Sequence, residues 1–333
     1  MQRSDRLSGQ LDPSGIGARM RIVIVLPTIR EERFRAWLER WGREFQNHSV
    51  IVIEDNPRKS FCVPDRENVF HYSWQEIDDE LKDKAWIIPR RTDCVRSFGF
   101  YKAYQMQPDM VVTLDDDCYP DHEEFLRLHW DALSERHSAE WFQHFPGIRV
   151  RGMPYELERS ATVLNIGLWS NIADLDARTQ LENMGYRAVR AEFTFPAPRG
   201  YFVPVCGMNV AFRPEIIPAF YFLLMGQGYE FDRFGDIWSG MFLKKICDHL
   251  GLQMSGGRPY VWHDRASDPH VNLEKEKNGL VMNEQLWRDV KAMKLCGSTV
   301  KECYMSLADQ LPVYSEYWAR LRGAMKVWVR LFD

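Results

Sequence analysis

The sequence predicts an α/β fold, with a mixed, mostly parallel sheet flanked by helices and a helical C-terminal tail. Residues 21–26 form a nearly continuous apolar run, as a strand buried on both faces requires. Large apolar side chains recur at helical spacing over 34–45, and residues 50–53 form a second apolar run. Strand, amphipathic helix and strand in this order form a βαβ unit, which implies parallel strands.

The following segments extend this unit. Residues 91–104 are expected to form a helix and residues 111–114 a further buried strand. Beyond them, short apolar strands alternate with turn-rich stretches such as 195–200, without an internal repeat or a long linker. The tail carries an apolar stripe at helical spacing, which is expected to pack in the core. This stripe consists of Trp318, Leu321, Met325, Trp328 and Phe332.

The composition argues against several classes of protein. The chain has 43 basic and 47 acidic side chains, so its net charge of −4 does not favour binding to nucleic acid or to an anionic membrane. No apolar run approaches the roughly 18 residues needed to span a bilayer. The seven cysteines lack metal-type spacing and favour a reducing compartment over a disulfide framework. A soluble, cytoplasmic protein is expected.

Residues 111–118 are the most informative stretch, because a strand-forming run leads into three consecutive carboxylates, Asp115, Asp116 and Asp117. Adjacent anions repel one another. At the carboxyl end of a buried strand they suit a hard divalent cation that carries a diphosphate. This is the setting of the Asp-x-Asp motif of nucleotide-sugar-dependent glycosyltransferases. An acidic turn after a strand is the alternative that these residues alone leave open.

Two other residues are candidates for nucleotide binding. Asp55 ends the second strand and could accept a hydrogen bond from the N3–H of uracil, although a turn or cap role before Pro57 is the alternative. Arg96 lies on the helix before the acidic strand, from where it could reach the base or a phosphate. The turns at the carboxyl ends of parallel strands line one crevice, so these residues are expected to lie near the three aspartates.

The second half of the chain adds a histidine and two aspartates. His263 closes a short apolar strand and could supply a nitrogen ligand to a Mn²⁺ held mainly by carboxylate and phosphate oxygens; a structural histidine is the alternative. Asp232 and Asp236 stand beside aromatic residues, which suits a sugar that stacks on rings and donates hydroxyl hydrogen bonds to carboxylates. Asp236 could also start a helix that runs through His249.

Other catalytic motifs are absent from the sequence. It contains no phosphate-binding P-loop, no dinucleotide-binding glycine motif after the first strand, no zinc-protease motif and no hydrolase nucleophile motif. Cys206 could suggest a thiol nucleophile, but no base stands near it in the sequence. Residues 206–209 are therefore expected to pack their backbone beside the ligand.

Eleven blocks, in order along most of the chain, make the sequence similar to the reversibly glycosylated polypeptides, the UDP-arabinopyranose mutase family. The resemblance implies a GT-A-type fold and an enzyme, dependent on Mn²⁺ or Mg²⁺, that interconverts the pyranose and furanose forms of UDP-arabinose. It also implies reversible glycosylation of an arginine by the UDP-sugar. The blocks are 26–30, 96–100, 113–118, 150–152, 167–172, 174–181, 206–212, 221–226, 246–251, 260–263 and 272–276.

We expect the chain to consist of a disordered N-terminal lead-in, one large domain and a helical C-terminal extension. Residues 1–20 have no apolar h-region and resemble a disordered lead-in rather than a signal peptide. A GT-A-like catalytic domain is expected over 21–280, followed by a helical C-terminal extension over 281–333. Within the domain, 21–130 would be the nucleotide-binding half and 131–280 the half that binds the sugar or acceptor.

The resemblance implies roles for individual residues. Asp117, with Asp115 or Asp116, and His263 would hold the Mn²⁺ or Mg²⁺ against both phosphates of the UDP-sugar. Asp236 would stabilise the oxocarbenium-like sugar or act on a hydroxyl group. The residues expected to bind the nucleotide are Pro27, Thr28, Arg30, Asp55, Arg96, Asp115 and Asp116.

The arginine expected to become glycosylated is Arg159. The family pattern places an arginine directly after the leucine, where this chain has Glu158, and Arg151 is the alternative acceptor. A guanidinium is cationic and weakly nucleophilic, so a neighbouring carboxylate, Glu156 or Glu158, would have to take its proton.

A second departure is Gly235, where the family usually carries an aspartate. Three functions therefore remain open: a UDP-arabinopyranose mutase, a metal-dependent glycosyltransferase that uses a separate acceptor, and a non-catalytic UDP-sugar-binding subunit. The resemblance also implies homo- or hetero-oligomers with family members. Neither nucleic-acid binding nor membrane insertion is expected.

Overall fold

The structure is a computed structural model of the 333-residue chain. It describes residues 20–64, 66–138, 141, 150–190, 192–265 and 267–333. The predicted lead-in lies outside the described residues apart from Met20. No helix in the described ranges combines the length and the apolar character that a membrane crossing requires.

Within these ranges the chain forms a central sheet with helices on both faces. The strands are β1 Ile22–Thr28, β2 Ser49–Glu54, β3 Val69–Tyr72, β4 Met110–Leu114, β5 Cys118–Pro120, β6 Arg136–His137, β7 Ser160–Asn171, β8 Thr194–Pro196, β9 Asn209–Phe212 and β10 Gln253–His263. The helices are α1 Glu31–Phe45, α2 Trp74–Leu81, α3 Arg96–Gln105, α4 Phe125–Ser134, α5 Ala177–Glu182, α6 Gly235–Leu250, α7 Pro269–Ala292, α8 Val300–Gln310 and α9 Glu316–Val329.

The strand order is β3-β2-β1-β4-β9-β7-β10-β5, with β6 beside β7 and β8 beside β10. Strands β1 to β4 pair in parallel, β9 is antiparallel to both β4 and β7, and β10 is parallel to β7. Consequently β1, β2, β3, β4, β7 and β10 all run in the same direction. This mixed, mostly parallel sheet confirms the predicted α/β, GT-A-like class.

Strand β1 is buried on both faces, as its apolar run predicts. Its side chains alternate between two hydrophobic clusters, because successive residues of a strand point to opposite faces of the sheet. Ile22, Ile24 and Leu26 join the cluster that contains α1, whereas Val23 and Val25 join the cluster that contains α3.

Helix α3 packs very close to β1. A Cβ atom added at Gly99 would lie 2.4 Å from Cγ1 of Val25, so only glycine permits this approach. The amino end of α3 is therefore held directly beside the carboxyl ends of β1 and β4, where the predicted site residues lie.

The predicted helix over 91–104 begins later than expected. Arg91 has φ 57° and Thr92 is extended, and α3 follows only after a short 3₁₀ helix, Asp93–Val95. The reason is tertiary: the backbone N–H of Thr92 donates a 3.0 Å hydrogen bond to Oδ2 of Asp55 instead of entering a helix.

Two predictions for the second half of the chain also need correction. Strands β7 and β10 are long, with 12 and 11 residues, although short strands are expected there. A register shift between Gly257 and Tyr260 interrupts the pairing of β10 with β7. The regular apolar pattern of the strand is broken there, so the sequence predicts a shorter strand. Helix α7 begins well before residue 281, because Asp268 caps it with a 2.8 Å hydrogen bond from His270 N, directly before Pro269.

The apolar stripe of the tail is buried, as predicted. Its members lie in the same hydrophobic cluster as α3 and α6, so α8 and α9 share the core of the sheet. The stripe residues are Trp318, Leu321, Met325, Trp328 and Phe332.

Candidate functional site

Six parallel strands place their carboxyl ends at one edge of the sheet, and most of the predicted site residues follow these ends. Thr28 ends β1, the three aspartates follow β4, and His263 ends β10. We call this region the carboxyl-edge site and define it by Thr28, residues 115–117 and His263. In open α/β sheets, ligands bind in the crevice outside the carboxyl ends of the strands.

Asp116 is buried and joins the turns after β1 and β4. Its Oδ2 atom accepts hydrogen bonds from Thr28 Oγ1 at 2.6 Å and from Arg30 Nε at 3.1 Å. Arg30 Nη2 donates to the other carboxylate oxygen, so the pair is bidentate. Asp116 therefore positions Thr28 and Arg30 at the carboxyl-edge site.

Asp115 is held by Arg96, whose side chain is almost completely buried. Arg96 Nη2 donates to Asp115 Oδ1, while Nη1 donates to Thr113 Oγ1 at 2.8 Å and to the carbonyl of Gly207. Burial lowers the pKa of Arg96, but the charge and hydrogen bond of Asp115 and the charges of Asp93 and Asp236 together outweigh this effect, so the pKa is raised. The guanidinium stays charged and fixes the first aspartate.

Asp117 and His263 meet across the site. Asp117 Oδ1 lies 4.0 Å from His263 Nε2, and Asp117 Oδ2 lies 3.8 Å from Arg30 Nη2. His263 Nδ1 donates a 2.8 Å hydrogen bond to the carbonyl of Ile172, so in the neutral ring Nε2 carries the lone pair. Burial, together with the negative charge of Asp115, raises the pKa of Asp117 to about 6.

These positions limit how a metal could be held. Among the described residues, no group of three or more His, Cys, Asp or Glu side chains could hold a metal ion. Of the three predicted ligands, Asp117 and His263 face one another, whereas Asp115 is turned to Arg96. A carboxylate and an imidazole nitrogen suit Mn²⁺ or Mg²⁺ only when other oxygens complete the coordination shell.

Asp55 lies at the end of β2 and is buried. Its Oδ1 accepts a 2.6 Å hydrogen bond from Trp74 Nε1, and its Oδ2 accepts one of 3.0 Å from Thr92 N. Burial raises the pKa of Asp55. The backbone N–H of Arg91 also donates to this carboxylate, so the protein orients both of its oxygens, and a carboxylate can accept further hydrogen bonds from a ligand.

Asp236 lies in the first turn of α6, as the alternative helix-start role predicts, although the N-cap residue is Phe234. Its carboxylate accepts hydrogen bonds from Gly207 N at 2.9 Å and from Ile237 N at 2.8 Å. Burial and the negative charge of Asp93 raise the pKa of Asp236 to about 7. This carboxyl group can therefore exist in both protonation states near neutral pH.

The structure adds charged residues that the sequence analysis missed: Asp93, Asp174, Arg233, Arg265 and Glu276. Arg233 and Arg265 lie within electrostatic range of Asp174, and Asp93 lies within range of Asp236. Two signals were available in the sequence. Arg233 belongs to the same aromatic segment as Asp236, and Arg265 stands two residues after His263.

The structure does not bring Arg159 to the carboxyl-edge site. Arg159 directly precedes β7, and the carboxyl end of this strand reaches the site through the contact of Ile172 with His263. A strand of 12 residues separates the two ends by on the order of 35 Å. Arg159 therefore lies towards the opposite edge of the sheet.

The other two predicted residues take different positions. Arg151 is exposed and, like Arg159, makes no hydrogen bond or ion pair with a described residue. Pro27 lies within β1, paired with Ile53 of β2, one residue before Thr28.

Comparisons with known proteins identify the family of the chain. A family model described as "Reversibly glycosylated polypeptide" matches residues 18–333. The chain is 36% identical to UDP-arabinopyranose mutase 1 of Oryza sativa subsp. japonica, over 93% of this chain and 90% of that protein. It is 34% identical to UDP-arabinopyranose mutase 1 of Arabidopsis thaliana, over 93% and 91% of the two chains. A probable UDP-arabinopyranose mutase 2 of Solanum tuberosum is 36% identical over 93% and 89%. The chain therefore belongs to the reversibly glycosylated polypeptide family.

Proposed function

We propose that this chain is a UDP-arabinopyranose mutase, which interconverts the pyranose and furanose forms of UDP-arabinose. The observation that carries the proposal is the similarity to proteins named UDP-arabinopyranose mutase over 93% of the chain. The arrangement of Asp117, His263 and Arg30 at the carboxyl ends of parallel strands supports it, because such an edge binds nucleotides in open α/β sheets.

In this proposal the uridine lies near the end of β2 and the diphosphate near the three aspartates. Asp55 is oriented to accept from the N3–H of uracil, and Pro27, Thr28 and Arg30 form the turn beside it. Arg96 acts through Asp115, which it holds by a charged hydrogen bond. The two carboxylates next to Asp117 would thus shape the site.

The residues fit a Mn²⁺ or Mg²⁺ ion that is bound together with the nucleotide. Asp117 and His263 would hold it, and the tether from His263 Nδ1 to the carbonyl of Ile172 presents Nε2 in the form that binds metals. When bound, the ion would neutralise charge on the diphosphate leaving group. With two ligands from the chain, most of the remaining ligands must be phosphate oxygens and water.

Asp236 is the residue that we assign to the sugar. Its carboxyl group is held by two backbone N–H groups and has a pKa of about 7, because burial and Asp93 disfavour its charge. Such a group can stabilise a developing positive charge as a carboxylate or exchange a proton with a sugar hydroxyl.

Incubation of the protein with Mn²⁺ and UDP-arabinopyranose, without any acceptor, tests the function. A mutase yields UDP-arabinofuranose, which chromatography resolves from the substrate. Slow release of UDP and free sugar would instead indicate a glycosyltransferase, and nucleotide binding without turnover would indicate a non-catalytic subunit. Asp117→Asn should lower conversion at least about tenfold, whereas Asp131→Asn, on the exposed face of α4, should not.

We also propose that self-glycosylation, if it uses Arg159, takes place between two copies of the chain. Arg159 lies towards the edge of the sheet opposite the carboxyl-edge site, on the order of 35 Å away along β7. This separation is too long for a covalent step within one copy. A transient or stable oligomer would supply the second copy.

Mixing two variants, neither of which should label itself, tests the transfer between copies. The His263→Ala variant retains Arg159 but lacks a complete site, and the Arg151→Ala/Arg159→Ala double variant retains the site but lacks both candidate acceptors. With a radiolabelled UDP-sugar, the mixture should label the His263→Ala chain, identified by a size tag. Absence of label in the mixture, with labelling of the wild type, would contradict the proposal.

We propose a cytoplasmic location on the basis of the cysteines. All seven are free thiols, including exposed Cys62 and Cys296, which is typical of a reducing compartment. A fluorescent fusion that follows the secretory route instead would contradict this assignment.

A further inference from the structure

The two arginines expected from the sequence to bind the nucleotide already pair with aspartates of the site. Arg30 forms a bidentate pair with Asp116, and Arg96 is shared among Asp115, Thr113 and the carbonyl of Gly207. Arg96 is buried and holds Asp115, whereas the half-exposed Arg30 keeps only Nη1 without a hydrogen bond to a described residue. Further cations would help to balance the charge of a nucleoside diphosphate in the carboxyl-edge site.

Arg233 is one such cation. Its Nε donates a 2.8 Å hydrogen bond to Oε1 of Glu276, which is 4% exposed and whose Oε2 accepts from Ala177 N at 2.6 Å. The terminal nitrogens of Arg233 donate to no described residue. Glu276 thus orients the guanidinium through Nε. The two terminal nitrogens remain for a ligand, and together they can donate to a phosphate bidentately.

The backbone of Arg233 supports a ligand-binding role. Its φ of 63° lies in the left-handed region that non-glycine residues adopt at an energetic cost. Such strain persists where the surrounding structure enforces it, often at ligand-binding sites. Here the strained residue lies two residues before the start of α6 and three before Asp236, the residue assigned to the sugar.

Arg265 is the second cation. It follows β10 by two residues, and its Nε donates a 3.0 Å hydrogen bond to Ser267 Oγ, which also accepts from buried Asn272 at 3.0 Å. Both terminal nitrogens of Arg265 are buried and have no hydrogen-bond partner among the described residues. A buried, unsatisfied guanidinium edge is costly, and an anionic ligand would supply the missing acceptors.

The two guanidinium groups lie within electrostatic range of the same carboxylate, Asp174. Burial lowers the pKa of Arg233, but the hydrogen bond to Glu276 and the charges of Glu276, Asp93 and Asp174 together outweigh this effect and raise it. Burial lowers the pKa of Arg265, and the charge of Asp174 opposes this. Arg265 also lies within electrostatic range of Asp117, and Arg233 within range of Asp93, whose negative charge acts on Asp236 as well. The two arginines are therefore near both the proposed metal ligands and the proposed sugar residue, where the diphosphate of a UDP-sugar would lie.

We propose that Arg233 and Arg265 bind the diphosphate of the nucleotide, with Glu276 and Ser267 as the residues that position them. The inference rests on the proposed function for the identity of the nucleotide. A diphosphate fits because two planar guanidinium groups can each donate two parallel hydrogen bonds to phosphate oxygens, which a neutral sugar cannot match. Their positive charges also offset the aspartates that surround the site.

Calorimetric titration with UDP and with uridine, in the presence of EDTA, tests the proposal without any contribution from a metal. Arg233→Lys and Arg265→Lys keep the positive charge but lose the planar guanidinium that donates two parallel hydrogen bonds. Each should therefore weaken UDP binding by roughly 10- to 100-fold. Uridine binding should stay within twofold of the wild type. Arg178→Lys is the matched control, because Arg178 forms an exposed pair with Glu182 on α5.

Two results would overturn the proposal: UDP affinity within twofold of the wild type in both variants, or an equal loss of UDP and uridine affinity. The second result would indicate a structural role for the arginines. Failure of the proposed function would look different, since the wild-type protein would then fail to convert UDP-arabinopyranose while the effect of the variants on UDP binding remained.

Discussion

The Nε2 atom of His263 faces the Oδ1 atom of Asp117 across 4.0 Å, although the two residues are far apart in the sequence. The pairing of β10 with β5, in which His263 stands opposite Cys118, brings them together. The carbonyl of Ile172 holds the other side of the imidazole. This pair is the part of the carboxyl-edge site in which a metal and the nucleotide would meet.

Metal and UDP should therefore bind cooperatively. Mn²⁺ alone should bind weakly, because the described residues offer no three-ligand cluster, and UDP should strengthen its binding. His263→Ala should lower the Mn²⁺-dependent part of UDP affinity at least about tenfold. Electron paramagnetic resonance of free Mn²⁺ during UDP titration measures the coupling.

The control for this prediction is His249→Ala, since His249 lies at the exposed end of α6 and, within the described ranges, its side chain has a hydrogen bond only with the carbonyl of Gly297. It should leave both affinities unchanged. Tight Mn²⁺ binding without nucleotide, or equal coupling in the His263→Ala variant, would contradict the two-ligand description.

The charge of Asp93 should control the protonation of Asp236. Burial and this negative charge raise the pKa of Asp236 to about 7, so Asp93→Asn should lower that pKa. Because the folded state keeps the proton that the unfolded chain releases above about pH 4, the contribution of Asp236 to the free energy of unfolding should fall as pH rises from 4 to 7. Asp93→Asn should make this fall smaller.

Carbon-13 NMR titration of labelled aspartate carboxyl groups reports the Asp236 pKa directly, with Asp236→Asn to assign the signal. The pH dependence of conversion gives a second measurement, in which the transition near pH 7 should move to lower pH. An Asp236 signal that titrates identically with and without Asp93 would rule out the interaction.

Acid should destabilise the protein through His129. This buried residue donates from Nε2 to Asn209 Oδ1 at 3.0 Å and accepts at Nδ1 from Asn165 at 2.9 Å. Burial lowers its pKa to about 3. Below pH 6.5 the unfolded state binds the proton and the folded state does not, so His129 should lower the free energy of unfolding by about 2 kcal/mol between pH 7 and pH 5.

Urea unfolding at a series of pH values measures this effect. His129→Gln should be less stable at pH 7 but should lose part of the dependence on pH between 7 and 5. His249→Gln, which alters a histidine at the exposed end of α6, should keep the pH dependence of the free energy of unfolding seen in the wild type. If the free energy of unfolding of the His129→Gln variant changed with pH as steeply as that of the wild type, His129 would not be the source of the acid sensitivity.

The start of α6 should not tolerate a side chain at position 235. A Cβ atom there would lie 2.5 Å from the carbonyl oxygen of Phe222, which also accepts a hydrogen bond from Cys94 Sγ at 2.7 Å. Gly235→Ala should therefore destabilise the fold by about 1 to 3 kcal/mol. An aspartate at this position would meet the same carbonyl.

Gly42→Ala is the matched control, because this glycine lies in α1 and has no atom within 4 Å of the added Cβ. It should be neutral or stabilise the helix by up to about 1 kcal/mol. Thermal unfolding compares the two variants. Equal stability of both would show that α6 can shift away from Phe222.

Much of the nucleotide-binding half followed from local patterns. The alternating apolar contacts of β1, the amphipathic face of α1 and the position of the aspartates after β4 depend on residues close in sequence. Periodicity reports such features because each strand or helix must bury one or both faces. The family was also recognisable from the sequence, since its blocks span most of the chain.

The tertiary structure alone decided which charges meet. Arg96 holds Asp115, and Asp174 lies within electrostatic range of both Arg233 and Arg265, yet none of these partners is close in sequence. An isolated arginine carries no local signal of its partner. The position of Arg159 is similar, because only the direction and length of β7 place it away from the site. The sequence by itself determined the strands and the chemistry of their ends, whereas the order of the strands in the sheet decided which of those ends share one site.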